Sequence, residues 1–242
     1  MGFKNLKQLI LKLTPQKIIN LYQSPLKSPQ EDLYSTLSYS QEGEDLILKR
    51  LFDGQQKGLY VDVGAHHPKR FSNTYLFYKM GWRGINIDAM PGSMEKFKEV
   101  RPEDINIEAA ISDKDELLTY YIFNETALNT FSKNEAEQKA GKGNYIVIDE
   151  IKINTIPLSQ VLNKHLDSNK QIDFLNIDVE GYDFKVLDSI DWTVYKPSVV
   201  LIEVLNIDLE NLIDSKVYKF LRERAYKMIA KTFNTLIFIK EK

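Results

Sequence analysis

The chain has 242 residues, 32 basic and 34 acidic side chains, a formal net charge of −2 and 43% apolar residues. That length suits one large domain with additions, and the charge balance excludes a protein built mainly to neutralise nucleic-acid phosphates. The absence of cysteine excludes a disulfide scaffold, thiolate metal sites and a thiol nucleophile.

Residues 1–30 carry Lys4, Lys7, Lys12, Lys17 and Lys27 and no acid before residue 31, with Leu6, Leu9, Ile10 and Leu13 at helical spacing. The lysines break up any apolar run, so the segment matches neither a spanning helix nor a compact signal peptide. It reads as a basic amphipathic helix followed by a linker at Ser24–Pro29. Such a helix either packs on the edge of the main domain or rests on an anionic membrane surface. The expected setting is the cytoplasm, with peripheral contact at the inner membrane face. Deleting residues 1–25 should then lower co-sedimentation with anionic liposomes, and unchanged association would remove that role. The main domain is expected over residues 31–242.

From there helices and short apolar strands alternate. Glu44–Phe52 reads as a helix, Leu59–Val63 as a buried strand, and Ser72–Met80 as a helix opened by Ser72 and closed by Gly81. Gly84–Asp88 is a strand, Pro91–Val100 a helix with proline in its first turn, and Ile105–Ala109 a strand. Leu117–Phe123 and Ile146–Thr155 read as longer strands around a polar excursion at 124–144, expected as a lid. Pro157–Leu166, Phe184–Ile190 and Ser215–Arg224 read as helices, with strands at Ile172–Asp178 and Ser198–Val204. Tyr226–Ala230 and Thr235–Lys240 close the chain as an antiparallel pair. This pattern predicts an α/β fold: a mostly parallel sheet, covered on both faces, built from right-handed βαβ units.

In such a sheet ligands bind beyond the carboxyl ends of the strands, and there the sequence places Asp62, Asp88, Glu108, Asp178 and Glu203. After the first strand comes Asp62-Val63-Gly64-Ala65-His66-His67-Pro68. Gly64 permits close backbone approach, but Ala65 and His66 replace the glycines of a pyrophosphate cradle. Asp88 lies 24 residues beyond Gly64, a spacing that lets a carboxylate meet both ribose hydroxyls. A nucleoside without a diphosphate fits these facts better than NAD.

The run Tyr60–Pro91 (YVDVGAHHPKRFSNTYLFYKMGWRGINIDAMP) with Phe174–Leu187 (FLNIDVEGYDFKVL) resembles the FkbM family of S-adenosylmethionine-dependent O-methyltransferases. Ser40–Leu48 and Leu201–Val204 resemble its flanking blocks, so the likeness spans about residues 39–205. The resemblance implies a class I methyltransferase fold, Rossmann-like, with a seven-stranded, mostly parallel sheet and an antiparallel C-terminal strand. It implies that Asp62 and Gly64, with Ala65 beside them, hold the methionine part of S-adenosylmethionine, and that Asp88, with Ala89, holds the ribose. Ser112 and Asp113 fall at the adenine, and Ser40 and Gln41 in a block that closes over the cofactor. Ser72, Asn73 and Thr74 match a polar triplet in which Ser72 caps the helix and Asn73 faces the site. Asp178 and Glu180 match the acids facing the transferred methyl group, and Asp183 stands where the family often has Glu.

An alcohol is a poor nucleophile, so a base or a metal is expected. Asp178, Glu180, His66 and His67 are the candidates; His165 sits in a helix among polar neighbours. Asp178 and Glu180 with one histidine also offer the hard donors that suit Mg²⁺. The expected acceptor is a hydroxyl of a sugar or glycan precursor, in surface polysaccharide or glycoconjugate assembly. Alternatives are a natural-product or phosphorylated acceptor, with lysines of the excursion meeting the anion, or a nucleoside-binding subunit without activity.

Overall fold

A computed structural model describes residues 34–167 and 169–241; the helix expected over residues 1–30 lies outside them. Strands β1 (Leu59–Val63), β2 (Arg83–Asp88), β3 (Ile105–Glu108), β7 (Phe174–Ile177), β8 (Val199–Glu203), β9 (Tyr226–Lys231) and β10 (Thr235–Lys240) form one sheet. Its order is β3-β2-β1-β7-β8-β10-β9. The first five run parallel, and β10 is antiparallel to both β8 and β9. Chain order therefore reverses beside β1, which opens a crevice above β1 and β7. Among the described residues no helix is long and apolar enough to cross a membrane.

The period-two alternation of the strands explains which groups reach each face. Val61, Val63, Leu175, Ile177, Val200 and Ile202 pack into an aliphatic core. Against it lie helices α5 (Leu158–His165), α6 (Asp183–Asp188) and α7 (Lys216–Glu223). On the other face Tyr60 and Phe174 join Phe77 and Trp82 in an aromatic core. This core is covered by α1 (Glu44–Leu51) and α2 (Tyr75–Lys79). That same face carries Asp62 between Asn86 of β2 and Asn176 of β7, its partners in register. The helix expected from Ser72 starts at Tyr75 with Thr74, not Ser72, at its N-cap position; Ser72 Oγ, in the turn before it, accepts a hydrogen bond from the Tyr75 amide at 3.1 Å.

Two of the expected strands leave the main sheet. β5 (Glu116–Phe123) and β6 (Val147–Ile156) pair antiparallel and, with β4 (Ala110–Ile111), form a separate three-stranded sheet. The excursion between them is an ordered cap, with a 3₁₀ turn at Thr126–Leu128 and helix α4 (Lys133–Lys139). Ser132 caps α4 by accepting from the Glu135 amide at 3.2 Å. Between α2 and β3 lies α3 (Met94–Val100).

Candidate active site

A cleft of about 860 Å³, including its open mouth, lies over the carboxyl ends of β1, β2 and β7. Its floor is the turn after β1. Gly64 sits at φ +85°, and a Cβ there would lie 1.6 Å from the Asp178 carbonyl oxygen. The turns after β1 and β7 thus touch backbone to backbone, which no side-chain-bearing residue permits.

Asp88 at the end of β2 is fixed by two amides: His66 N–H donates to Oδ2 at 2.7 Å and Met90 N–H to Oδ1 at 2.8 Å. Burial raises the pKa of this carboxyl. Asp62 is engaged in a relay. Thr74 Oγ1 donates to it at 2.7 Å and Asn176 Nδ2 at 2.9 Å, while Asn73 Nδ2 donates to Asn176 Oδ1 at 2.9 Å. Asp62 therefore positions Asn176 and Asn73, which face the cleft with it.

Beneath this relay lies Arg101, 0% exposed, which the sequence reading did not single out. Its Nε donates to Asp104 Oδ2 at 2.8 Å, Nη1 to Thr74 Oγ1 at 3.0 Å and Nη2 to Tyr60 OH at 2.8 Å. It is the buried cation that offsets Asp104 and Asp62.

The cap supplies the opposite wall. Tyr120 and Phe131, with ring centres 4.6 Å apart, and Ala109 and Ile111 make an apolar flank. Three contacts staple the cap to the turns. Arg70 donates to both Glu125 oxygens at 3.1 and 2.8 Å, Thr130 Oγ1 donates to the Glu180 carbonyl at 2.6 Å, and Lys139 pairs with Glu180. Glu180 itself holds a left-handed backbone, φ 54°, as a strained residue at a functional turn often does. Asp183 ties that turn together, accepting from the Val179 and Gly181 amides, both at 2.9 Å. Burial pushes the Asp183 carboxyl up to about 6.

Of the expected site residues, Gln41, Asp62, Gly64, Ala65, His66, Asn73, Asp88, Ala89, Asp178 and Glu180 line the cleft, and Ser40, His67, Ser112 and Asp113 do not. Ser40 donates to Asp45 at 2.9 Å. Ser112 donates to Asp113 at 3.0 Å, and the apolar flank comes from Tyr120 and Phe131 instead.

His67 Nδ1 accepts from the Lys69 and Arg70 amides at 3.1 and 3.0 Å. The His66 ring meets Thr126 Oγ1 at 3.0 Å. Burial, reinforced by Arg70, lowers the His66 ring to about 4, so it is neutral at pH 7. The set of Asp178, Glu180 and a histidine expected for Mg²⁺ does not assemble among the described residues. The acid oxygens that converge, within 4.8 Å, belong to Asp178, Asp183 and Glu203.

Among the described residues, the lining holds the carboxyl groups of Asp62, Asp88, Asp178 and Glu180 and no lysine or arginine. A ligand with phosphates would find no cation there, whereas a nucleoside with a positively charged centre finds acids and a flat apolar wall. The donor set thus fits S-adenosylmethionine. Asp88 would hold its ribose, the Tyr120 and Phe131 wall its adenine, and the amides of Gln41 and Asn73 its carboxylate.

The crevice lies at the strand-order reversal of a Rossmann-like sheet, where open α/β sheets bind their ligands, and carries a carboxylate at the end of β2. A family model for the methyltransferase FkbM domain matches residues 62–228. The chain belongs to the FkbM methyltransferase family. Its seven-stranded, mostly parallel sheet with an antiparallel β10 is the Rossmann-like arrangement that the resemblance to this family implies. Among solved structures, the chain is similar to a precorrin-6y C5,15-methyltransferase from Geobacter metallireducens at 12% identity and TM-score 0.42, covering 87% of this chain and 96% of that one. It is likewise similar to a putative RNA methyltransferase from Pyrococcus horikoshii at 12% identity and TM-score 0.43, covering 94% and 100%. No curated protein sequence matches the chain.

Proposed function

We propose that the protein moves a methyl group from S-adenosylmethionine to a hydroxyl of a sugar or similar polyol during assembly of a surface glycan or glycoconjugate. When bound, S-adenosylmethionine supplies a methyl group already activated by the positive charge on sulfur. The chain's own work is to align an acceptor oxygen with that methyl and to take the oxygen's proton. Alignment contributes up to ~7–11 kcal/mol and a positioned base about 10²–10⁴-fold in rate.

One observation carries the reading. Asp178 lines the main cleft and also a second, adjoining cleft of about 320 Å³. Among the described residues, no amide, ammonium or guanidinium donates to its carboxylate. A partly buried acid that lines both a donor site and a neighbouring cavity suits a base that receives a hydroxyl proton. Glu180 is paired with Lys139 and is a weaker candidate, and the histidines are engaged elsewhere.

Among the described residues the second cleft also contains no lysine or arginine, and Lys139 is held by Glu180 and by Glu135. Both facts favour an uncharged, hydroxyl-rich reacting end over a phosphorylated one. Incubation with S-adenosylmethionine and a panel of nucleotide sugars, sugar phosphates and free glycosides, read by mass, tests this. Methylation is expected on a sugar hydroxyl distant from any phosphate. Methylation of nitrogen or carbon, or of a hydroxyl next to a phosphate, would overturn the reading.

A further inference from the structure

Glu203 ends β8 beside the residue that follows β7. The strands are parallel with Ile177 opposite Ile202, so Asp178 and Glu203 stand side by side at one level of the sheet edge. Their carboxyl oxygens, with one of Asp183, fall within 4.8 Å of one another. Glu203 is 8% exposed. Its Oε1 accepts from Asn234 Nδ2 at 3.4 Å, while the buried Oε2 meets no N–H donor. Like charges that near one another in a buried setting disfavour ionisation of both. A single proton between them removes the like-charge contact and gives Oε2 a partner.

The surrounding charges point the same way. Glu180 from the turn after β7, Asp183 from α6 and Asp62 from β1 add negative charge, and Lys139 from α4 is a cation acting on Glu203. Glu42 and Glu44 line the same second cleft. Both are held: Glu42 accepts from the Phe233 amide at 2.6 Å and Glu44 from Thr232 Oγ1 at 2.8 Å. Burial, followed by the charge of Asp178, pushes the Glu203 carboxyl up to about 11.

We propose that Glu203 is a positioning residue that stays protonated and donates its hydrogen bond to Asp178, so that the pair carries one negative charge, seated on Asp178 where the two clefts join. The catalytic consequence rests on the proposed methyl transfer. There the acceptor's O–H bond breaks and its O–CH₃ bond forms as the S–CH₃ bond breaks, leaving a neutral thioether. The proton passes to Asp178, and the doubly protonated pair then returns one proton to solvent.

The test compares wild type, Glu203→Gln, Glu203→Ala and Asp178→Asn. Carbon NMR of protein labelled at the glutamate side-chain carboxyl needs no acceptor. One signal, missing in Glu203→Gln, should report a protonated carboxyl at neutral pH and titrate at lower pH in Asp178→Asn. Stability supplies a second readout. A carboxyl raised in the folded state contributes stability while it is protonated, lost as pH rises toward the folded value. Wild type should therefore lose stability relative to Glu203→Gln from the ordinary glutamate range upward.

In kinetics, Glu203→Ala should lower kcat about tenfold or more with little change in KM, and Glu203→Gln should recover most of that loss. A Glu203 signal ionised at neutral pH would overturn the proposal. So would displacement of that signal by Mg²⁺ alone, which would make the pair a cation site. Either outcome leaves the methyl-transfer reading standing. Failure of every acceptor with a protonated Glu203 would sink that reading alone.

Discussion

Replacing Arg101 with Met should lower the unfolding free energy by about 3–5 kcal/mol, the usual cost of removing one partner from a buried ion pair. The guanidinium spends all its contacts inside the protein, on Asp104, Thr74 and Tyr60. Methionine fills similar volume but leaves Asp104 and Asp62 without their cation. Asp62 is already raised by burial, so one of these acids would take up a proton and the relay to Asn176 and Asn73 would slacken. Urea denaturation with paired probes gives the stability change, and calorimetry should show weakened S-adenosylmethionine binding even where the variant is folded. A loss below about 1 kcal/mol, the range of surface ion pairs, would contradict this account of the hub.

Asp178→Asn should reduce methyl transfer by about 10²–10⁴-fold, the range of a lost positioned base, while leaving the fold intact. The stability sign separates this from damage. Burial first, and then Glu180, Asp183 and Asp62, hold the Asp178 carboxyl well above the usual aspartate range. A carboxyl raised in the folded state stabilises only while protonated, so its contribution is lost as pH rises through the folded value. Asparagine removes that penalty, and the variant should be more stable than wild type at neutral and alkaline pH although inactive. The wild-type rate should rise with pH through the same raised value, and this acid limb should vanish in the variant. An active Asp178→Asn protein, or one less stable than wild type at neutral pH, would remove Asp178 from the base's role.

The sequence made the main sheet legible because its strands are short, apolar and separated by helices, and because Asp62, Asp88 and Asp178 gather at the crevice while Glu203 lines the adjoining second cleft. Glu108 is the exception: it lies on an edge strand, exposed, and accepts from the Gly92 amide at 2.7 Å. Leu117–Phe123 and Ile146–Thr155 show the same alternation as the main strands, and only their long-range pairing with each other places them in a second sheet.

Arg101 reads in sequence as an ordinary charge at a helix end, because nothing local announces Tyr60 and Thr74 some distance up the chain. His66 and His67 attract notice as imidazoles, yet the site uses the His66 backbone, whose φ of 51° aims its amide at Asp88. Glu203 was visible as one strand-end acid among several. Its orphan oxygen and its neighbour in register belong to tertiary structure alone.

The most direct test is a crystal structure of the full chain grown with S-adenosylmethionine. The account predicts the adenosyl group in the crevice above Gly64, its ribose hydroxyls on Asp88, its ring against Tyr120 and Phe131, and its sulfur turned toward Asp178. A ligand bound elsewhere, or Asp88 facing away from the ribose, would contradict it.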